Sequence, residues 1–270
     1  MIPVGFTYER PETLDAALAL LAEHGDDAKV LAGGHSLLPV MKLRLAAPEL
    51  VIDIGRLGEL RYTRVDGDEL AIGAGTRHHD LATSDVVEAE APLLGAVART
   101  VGDPQVRHRG TLGGSLAHAD PASDLPAAVL ALGGSIVLRG PRGERKVPVE
   151  EFFTGLFSTA LEPDELVVEI RVPRTGSAGW AYEKFTRRAN DWAIVAVAVV
   201  DGRVGLVNMG STALRASATE AALASGASIP DAAALADQDT DPPGDLAATP
   251  AYRRHLARVL TRRALTTAAE

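Results

Sequence analysis

The sequence predicts an α+β protein of more than one unit, and three stretches carry that prediction. The opening reads as strand, helix, strand. LRYTRVDGDELAIGAG, from Leu60, sets Asp-Gly between two alternating runs, a hairpin signal. AIVAVAVVDGRVGLVNMGS, from Ala193, reads as an antiparallel meander around a second Asp-Gly at Asp201 and Gly202. At 270 residues the chain has the length of one large domain or of two to three smaller units sharing cores.

Taken in order, the first helix is expected from Leu14 to Leu21, capped by Thr13 or Asp15 and stopped by Gly25, with AKVLAGG as the next strand. LLPVMKLRLA predicts a short helix and ELVIDIG a buried strand, which closes a first unit over residues 1–57. A second unit, 58–175, starts with the hairpin. Thr76, His78, His79 and Asp80 then precede a long helical stretch, DLATSDVVEAEAPLLGAVARTV. Next come a glycine loop, RGTLGGS, a helix from Asp124 to Leu132, the strand pair GSIVLRGPRGERKVPV and the strand LVVEIRVP. Past the break from Pro173 to Gly179, a third unit, 176–270, carries WAYEKFTRR, the meander, and a helix followed by a mobile acidic loop between Ser228 and Pro250. A basic amphipathic helix ends it.

Composition narrows the chemistry. There is no cysteine, which excludes disulfides, thiolate catalysis and iron–sulfur clusters ligated by this chain, so any redox centre it holds is organic. The net charge of −9 argues against a nucleic-acid surface; the basic YRRHLARVLTRR reads as a solvated helix face or a subunit contact. No run of eighteen apolar residues predicts a membrane span, and MIPVGFTYERPETLD lacks the features of a secretion signal, so a cytoplasmic location is expected.

Two glycine loops stand out, LAGGHS and TLGGS. Paired glycines let a backbone approach a ligand and let successive N–H groups point one way, which suits a diphosphate, and serine adds a hydroxyl. Neither loop is a P-loop or GxGxxG. Together they predict one diphosphate clamped from two sides; singly each reads equally as a tight turn.

AGGHSLLP at 32–39, TLGGSLAHADPASDLPA at 111–127 and YEKFTRRANDWAIVAVA at 182–198 together resemble the FAD-binding medium subunit of molybdenum hydroxylases of the carbon monoxide dehydrogenase and xanthine dehydrogenase type. The resemblance spans the chain. It implies the vanillyl-alcohol-oxidase-type fold: two FAD-binding subdomains (1–57 and 58–175) and a C-terminal domain (176–270) with a three-stranded antiparallel sheet and helices. It further implies that Ala32, Gly33, Gly34, His35 and Ser36 form the first pyrophosphate loop, with Leu37 and Leu38 packing nearby, and that Thr111, Gly113, Gly114 and Ser115 form the second. Val101 and Gly102 correspond to contacts around the adenine half, and Val167 to a residue whose backbone faces the flavin.

Asp124 matches an acidic residue that the family places near FAD, where it would accept a ribose or ribityl hydroxyl; the same residue reads as a helix N-cap. Lys184 matches a lysine near the flavin ring, where a cation raises the potential by stabilising the reduced anion; outside the motif it would read as an exposed strand lysine. Trp192 reads either as a cover for the flavin or as core, and Arg107 and Arg109 either as pyrophosphate partners or as surface arginines. His78, His79, His118 and Asp120 lack the spacing of a metal site.

The function implied is that of an electron-transfer subunit with no catalytic residue of its own. It would pass electrons from [2Fe-2S] clusters of a small partner subunit through FAD to an external acceptor, beside a large subunit carrying molybdopterin, in a heterotrimer dimerised to a hexamer. The rivals are a self-contained FAD-dependent oxidase, in which His35 would be bonded covalently to the flavin, and a scaffold that has lost FAD.

Overall fold

The computed structural model describes residues 2–270. Its first unit contains β1 (Thr7–Glu9), α1 (Leu14–His24), β2 (Ala28–Leu31), α2 (Leu37–Lys42) and β3 (Leu50–Asp53). The strands form a parallel sheet in the order β1-β3-β2. Thr13 caps α1 by accepting from the Ala16 amide, and Gly25, at φ 51°, ends it in a conformation that a side chain disfavours.

The second unit holds β4 (Thr63–Asp66), β5 (Glu69–Gly73), α3 (His78–Thr83), α4 (Asp85–Glu90), α5 (Pro92–Arg99), α6 (Pro104–Arg107), α7 (Leu112–His118), α8 (Asp124–Leu132), β6 (Ser135–Gly140), β7 (Gly143–Pro148), α9 (Val149–Phe152), the short pair β8 (Phe153–Gly155) and β9 (Ser158–Thr159), and β10 (Leu166–Pro173). Its main sheet runs β4-β5-β10-β6-β7, antiparallel throughout.

Two expectations change here. The long helical stretch is three helices, not one, because Ser84 leaves the helical region to cap α4 through the Val87 amide, and because Pro92 drives Ala91 out of helical geometry. The segment RGTLGGS is only half a loop: Gly113, Gly114 and Ser115 form the first turn of α7, started by Thr111.

The third unit carries β11 (Trp180–Phe185), β12 (Val195–Val200), β13 (Arg203–Val207), β14 (Leu214–Arg215), α10 (Ser217–Ala224), α11 (Ile229–Ala233) and α12 (Pro250–Ala268). The three expected antiparallel strands are there, with β14 added as a two-residue edge. Asp201 and Gly202 both have positive φ, 48° and 74°, as the tight turn between twisted strands requires.

Two strands unite these parts. In β10, Val167, Ile170 and Val172 enter the core of the second unit while Leu166 and Val168 enter that of the first. In β12, Ala196, Ala198 and Val200 face the second unit's core, and Val195, Val197 and Val199 face α12. Strands buried on both faces read as unbroken apolar runs.

The segment expected to be mobile, residues 234–249, is pinned by arginines of α12. Arg253, 1% exposed, donates from Nε to the Pro243 carbonyl (2.9 Å), from Nη2 to Asp245 (2.7 Å) and from Nη1 to the Ile194 carbonyl. Arg254 reaches the Thr240 carbonyl at 3.2 Å and Arg258 reaches Asp237 at 2.9 Å. Arg253→Ala leaves the buried Ile194 carbonyl unpaired beside a cavity and is expected to lower stability by about 3 kcal/mol. Arg253→Lys should recover only part of it, since one ammonium cannot reach all three acceptors. Equilibrium urea unfolding of parent and variants checks both.

Candidate functional site

The two glycine segments are brought together by a contact that leaves no room for side chains. A Cβ on Gly33 would overlap the Arg109 carbonyl and lie 2.9 Å from Gly110 Cα; one on Gly114 would lie 2.7 Å from Thr111 Oγ1 and 3.9 Å from Ala32 Cβ. Gly34 is left-handed, φ 81°, with Leu38 and Leu31 methyl groups filling the place of its missing Cβ. The cleft that opens beside this contact has a volume of about 910 Å³, at the upper end of the range of small-molecule sites, roughly 300 to 1,000 Å³.

The two segments differ in what they offer a ligand. From 110 to 115 the backbone is stitched to its neighbours: the Leu112 amide donates to Thr76 O (3.0 Å), Gly113 to Ala74 O (2.9 Å), Gly114 to Thr111 Oγ1 (3.1 Å) and Ser115 to Thr111 O (3.0 Å). The amides of Gly33, Gly34, His35 and Ser36, by contrast, meet no protein acceptor among the described residues. Successive unengaged N–H groups next to a left-handed residue such as Gly34 are able to form an anion-binding nest.

Arginines reinforce this end of the cleft. Arg77 is buried and donates to the Gly55 carbonyl (2.9 Å) and the Arg109 carbonyl, while Arg61 donates to the same Gly55 carbonyl. Burial and the nearby Arg61 and Arg109 lower its pKa to about 10, which leaves it charged at neutral pH. His78, also buried, is pushed down to about 4 by burial, His35, Arg77 and Arg107, and is neutral.

Other walls come from more distant sequence. Gly102, at φ 53°, lies against Val106, and Arg107 Nη1 holds the carbonyls of Gly102 (2.9 Å) and Val101 (3.2 Å). Val167 precedes a β-bulge in β10, and with Leu166 it lines the cleft. Asp124 is buried at the start of α8, where Ser123 occupies the N-cap position that had been one reading of Asp124. Its Oδ2 accepts from Lys184 Nζ at 2.7 Å and its Oδ1 from Tyr182 Oη at 2.6 Å. Burial outweighs these partners and raises the Asp124 pKa.

Of the residues singled out from sequence, Ala32, Gly33, Gly34, His35, Ser36, Leu37, Val101, Gly102, Thr111, Gly113, Gly114, Ser115, Asp124, Val167 and Lys184 line this one cleft. Leu38 does not; it packs on Gly34. Lys184 is no lone cation but half of an ion pair. Trp192 is 61% exposed at the cleft, not core. Arg107 acts as a brace for the 101–102 carbonyls and the exposed Arg109 offers its backbone, whereas the arginines that line the cleft, Arg61 and Arg77, carried no sequence signal. Tyr182 was missed in the sequence, although its two-residue spacing from Lys184 puts the two on one face of a strand.

Neutral, buried His78 links stability to pH. Its unfolded form takes up a proton near pH 6.5 and its folded form only near 4, so between those values the unfolded state holds more protons and stability falls as pH falls. His78→Phe is expected to flatten that loss by up to about 3 kcal/mol across the window. Urea unfolding of parent and variant at pH 6.5 and 4.5 measures the difference.

Comparison with known proteins agrees with this geometry. Residues 4–175 match the family described as the FAD binding domain in molybdopterin dehydrogenase, and residues 180–268 match the CO dehydrogenase flavoprotein C-terminal domain. The carbon monoxide dehydrogenase medium chain of Hydrogenophaga pseudoflava is 44% identical, over 99% of this chain and 98% of the relative. The glyceraldehyde dehydrogenase medium chain of Sulfolobus acidocaldarius is 37% identical, over 98% of each. The solved structure of carbon monoxide dehydrogenase from Hydrogenophaga pseudoflava superposes with a TM-score of 0.96 at 46% identity, covering 100% of this chain and 99% of that one. The chain therefore belongs to the FAD-binding medium subunits of the molybdenum hydroxylases, and it is an oxidoreductase subunit.

Proposed function

We propose that this chain holds FAD in the cleft between its first two units and passes electrons from [2Fe-2S] clusters of a small partner subunit to an external acceptor. In this reading a large partner subunit carries molybdopterin and the substrate site. The heterotrimer pairs into a hexamer in the cytoplasm, and the chain divides into subdomains 1–57, 58–175 and 176–270. The observation that carries the reading is the run of four unengaged amides, Gly33 to Ser36, in residues that line one cleft together with Thr111, Gly114 and Ser115. The absence of cysteine supports partner-borne clusters. No helix among the described residues is long and apolar enough to cross a membrane.

The residues fit the cofactor. Four N–H groups and the charged Arg77 and Arg61 suit a diphosphate; the apolar Val101, Val106, Leu166 and Val167 suit planar rings. FAD supplies the exchange between single-electron donors and two-electron acceptors. The protein's part is to hold and orient. Gly33 and Gly34 keep side chains out of the nest, Arg77 offsets the anion while bracing Gly55 and Arg109 against each other, and the Asp124–Lys184 pair forms a polar wall without net charge. No side chain here needs to exchange a proton with the organic substrate.

Gly34→Val and Gly114→Val should each abolish FAD binding: the first strains a left-handed backbone and strikes Leu38, and the second strikes Thr111 Oγ1. Flavin absorbance against protein concentration measures occupancy, and a variant that keeps stoichiometric FAD makes its segment purely structural. Acid precipitation of the parent should leave yellow flavin in the supernatant. Flavin in the pellet would instead mark a bond to His35 and a self-contained oxidase. Purification from the native host should bring partner chains with molybdenum and iron, and their absence would overturn the subunit assignment.

A further inference from the structure

Tyr182 and Lys184 project from the same face of β11 and end on one carboxylate. Tyr182 Oη donates to Asp124 Oδ1 at 2.6 Å, and Lys184 Nζ donates to Oδ2 at 2.7 Å and to the Thr100 carbonyl at 3.2 Å. The side chains of Lys184 and Asp124 are 10% and 6% exposed. Both line the cleft; Tyr182 stands behind them. We propose that Tyr182 is a positioning residue for the flavin site: by occupying Oδ1 it fixes the carboxylate with Oδ2 on Lys184, and so holds the cleft wall at zero net charge. The inference rests on FAD occupying the cleft.

Burial favours the neutral acid form of Asp124, and the Lys184 and Tyr182 contacts favour the ionised form. The Tyr182 phenol is itself held far above its ordinary pKa by burial and by Asp124, so it remains a donor. Remove that donor and the balance tips toward protonation. Once Asp124 is protonated, the Lys184 ammonium faces the cleft uncompensated, and a cation there favours any negative charge that reduction adds. Deleting Lys184 instead would strand a buried carboxylate, which answers by taking a proton, and the wall would stay neutral. The pair, with Tyr182 as its clamp, therefore sets the charge of the wall.

No other ionisable side chain bonds to the carboxylate among the described residues. On neighbouring elements, Arg99 of α5 turns away to Glu88 (2.6 Å), Glu150 of α9 pairs with Arg215 (3.3 Å), and His118 and Asp191 face the cleft without bonding to Asp124. β12 offers only alanine and valine.

The test is the titration of the Asp124 carboxyl by ¹³C NMR in the full chain, with and without FAD, assigned by its loss in Asp124→Asn. Tyr182→Phe should raise its apparent pKa by about one unit. With FAD bound, dye equilibration from pH 5 to 9 should show the Tyr182→Phe potential rising above the parent's as pH falls through that new pKa. Asp124→Asn should raise the potential across the range, and adding Tyr182→Phe to it should change nothing more, because Tyr182 acts only through Asp124. An unmoved carboxyl titration overturns the proposal. So do potential curves that superimpose while the titration moves, since Tyr182 would then be merely structural. If Tyr182→Phe fails to fold, an unraised potential in Asp124→Asn decides against it. A parent that binds no FAD overturns the cofactor assignment and with it any role of Tyr182 toward a flavin, while the flavin-free titration still decides whether Tyr182 clamps Asp124.

Discussion

The site depends on one backbone contact, the approach of Gly33 to Arg109 and Gly110. A methyl group at position 33 would overlap the Arg109 carbonyl, so the end of β2 meets the start of α7 only because nothing projects between them. Arg77 spans the junction, with one guanidinium on carbonyls of both the Gly55 turn and Arg109. The contact places the unengaged amides of Gly33 to Ser36 at the mouth of a cleft and not on open surface, where water would satisfy them equally well.

Such a contact needs rigid supports on both sides. β10 and β12 supply them, because each is buried on both faces and contributes to two cores at once. A side chain that leaves one core by a register slip enters another, so the register is fixed by packing from both directions. The bulge between Val167 and Glu169 is the one irregularity in the pairing of β10 with β6, and it falls where that strand faces the cleft.

Charge is distributed unevenly along the cleft. Near the first glycine segment, Arg61 and Arg77 concentrate positive charge, and the buried His78 is kept neutral beside them. At the far wall Asp124 and Lys184 cancel. Neutralising a buried lysine with a buried carboxylate costs desolvation on both sides, which is tolerable here because Tyr182 and the Thr100 carbonyl supply the remaining hydrogen bonds.

Patterns local to the chain were legible in the sequence. The Thr13 cap and Gly25 stop of α1, both Asp-Gly hairpins and the doubly buried strands follow from dihedral preferences and hydrophobic period, which act within a few residues. Three motifs in order identified the family and a part of the cleft lining. Where sequence reading missed, two nearby signals competed: Ser84 and Pro92 broke an apparently continuous helix, and Thr111 turned a glycine loop into a helix start. The arginines of α12 that pin residues 237–245 lie far enough along the chain for composition alone to read the segment as mobile. Only the tertiary structure decided that Arg77 and Arg61 serve the cleft, that the amides of the second glycine segment are already engaged, and that Lys184 is paired with Asp124. Each is a contact between residues distant in sequence, set by how three cores pack together, and neither residue type nor spacing along one segment encodes it.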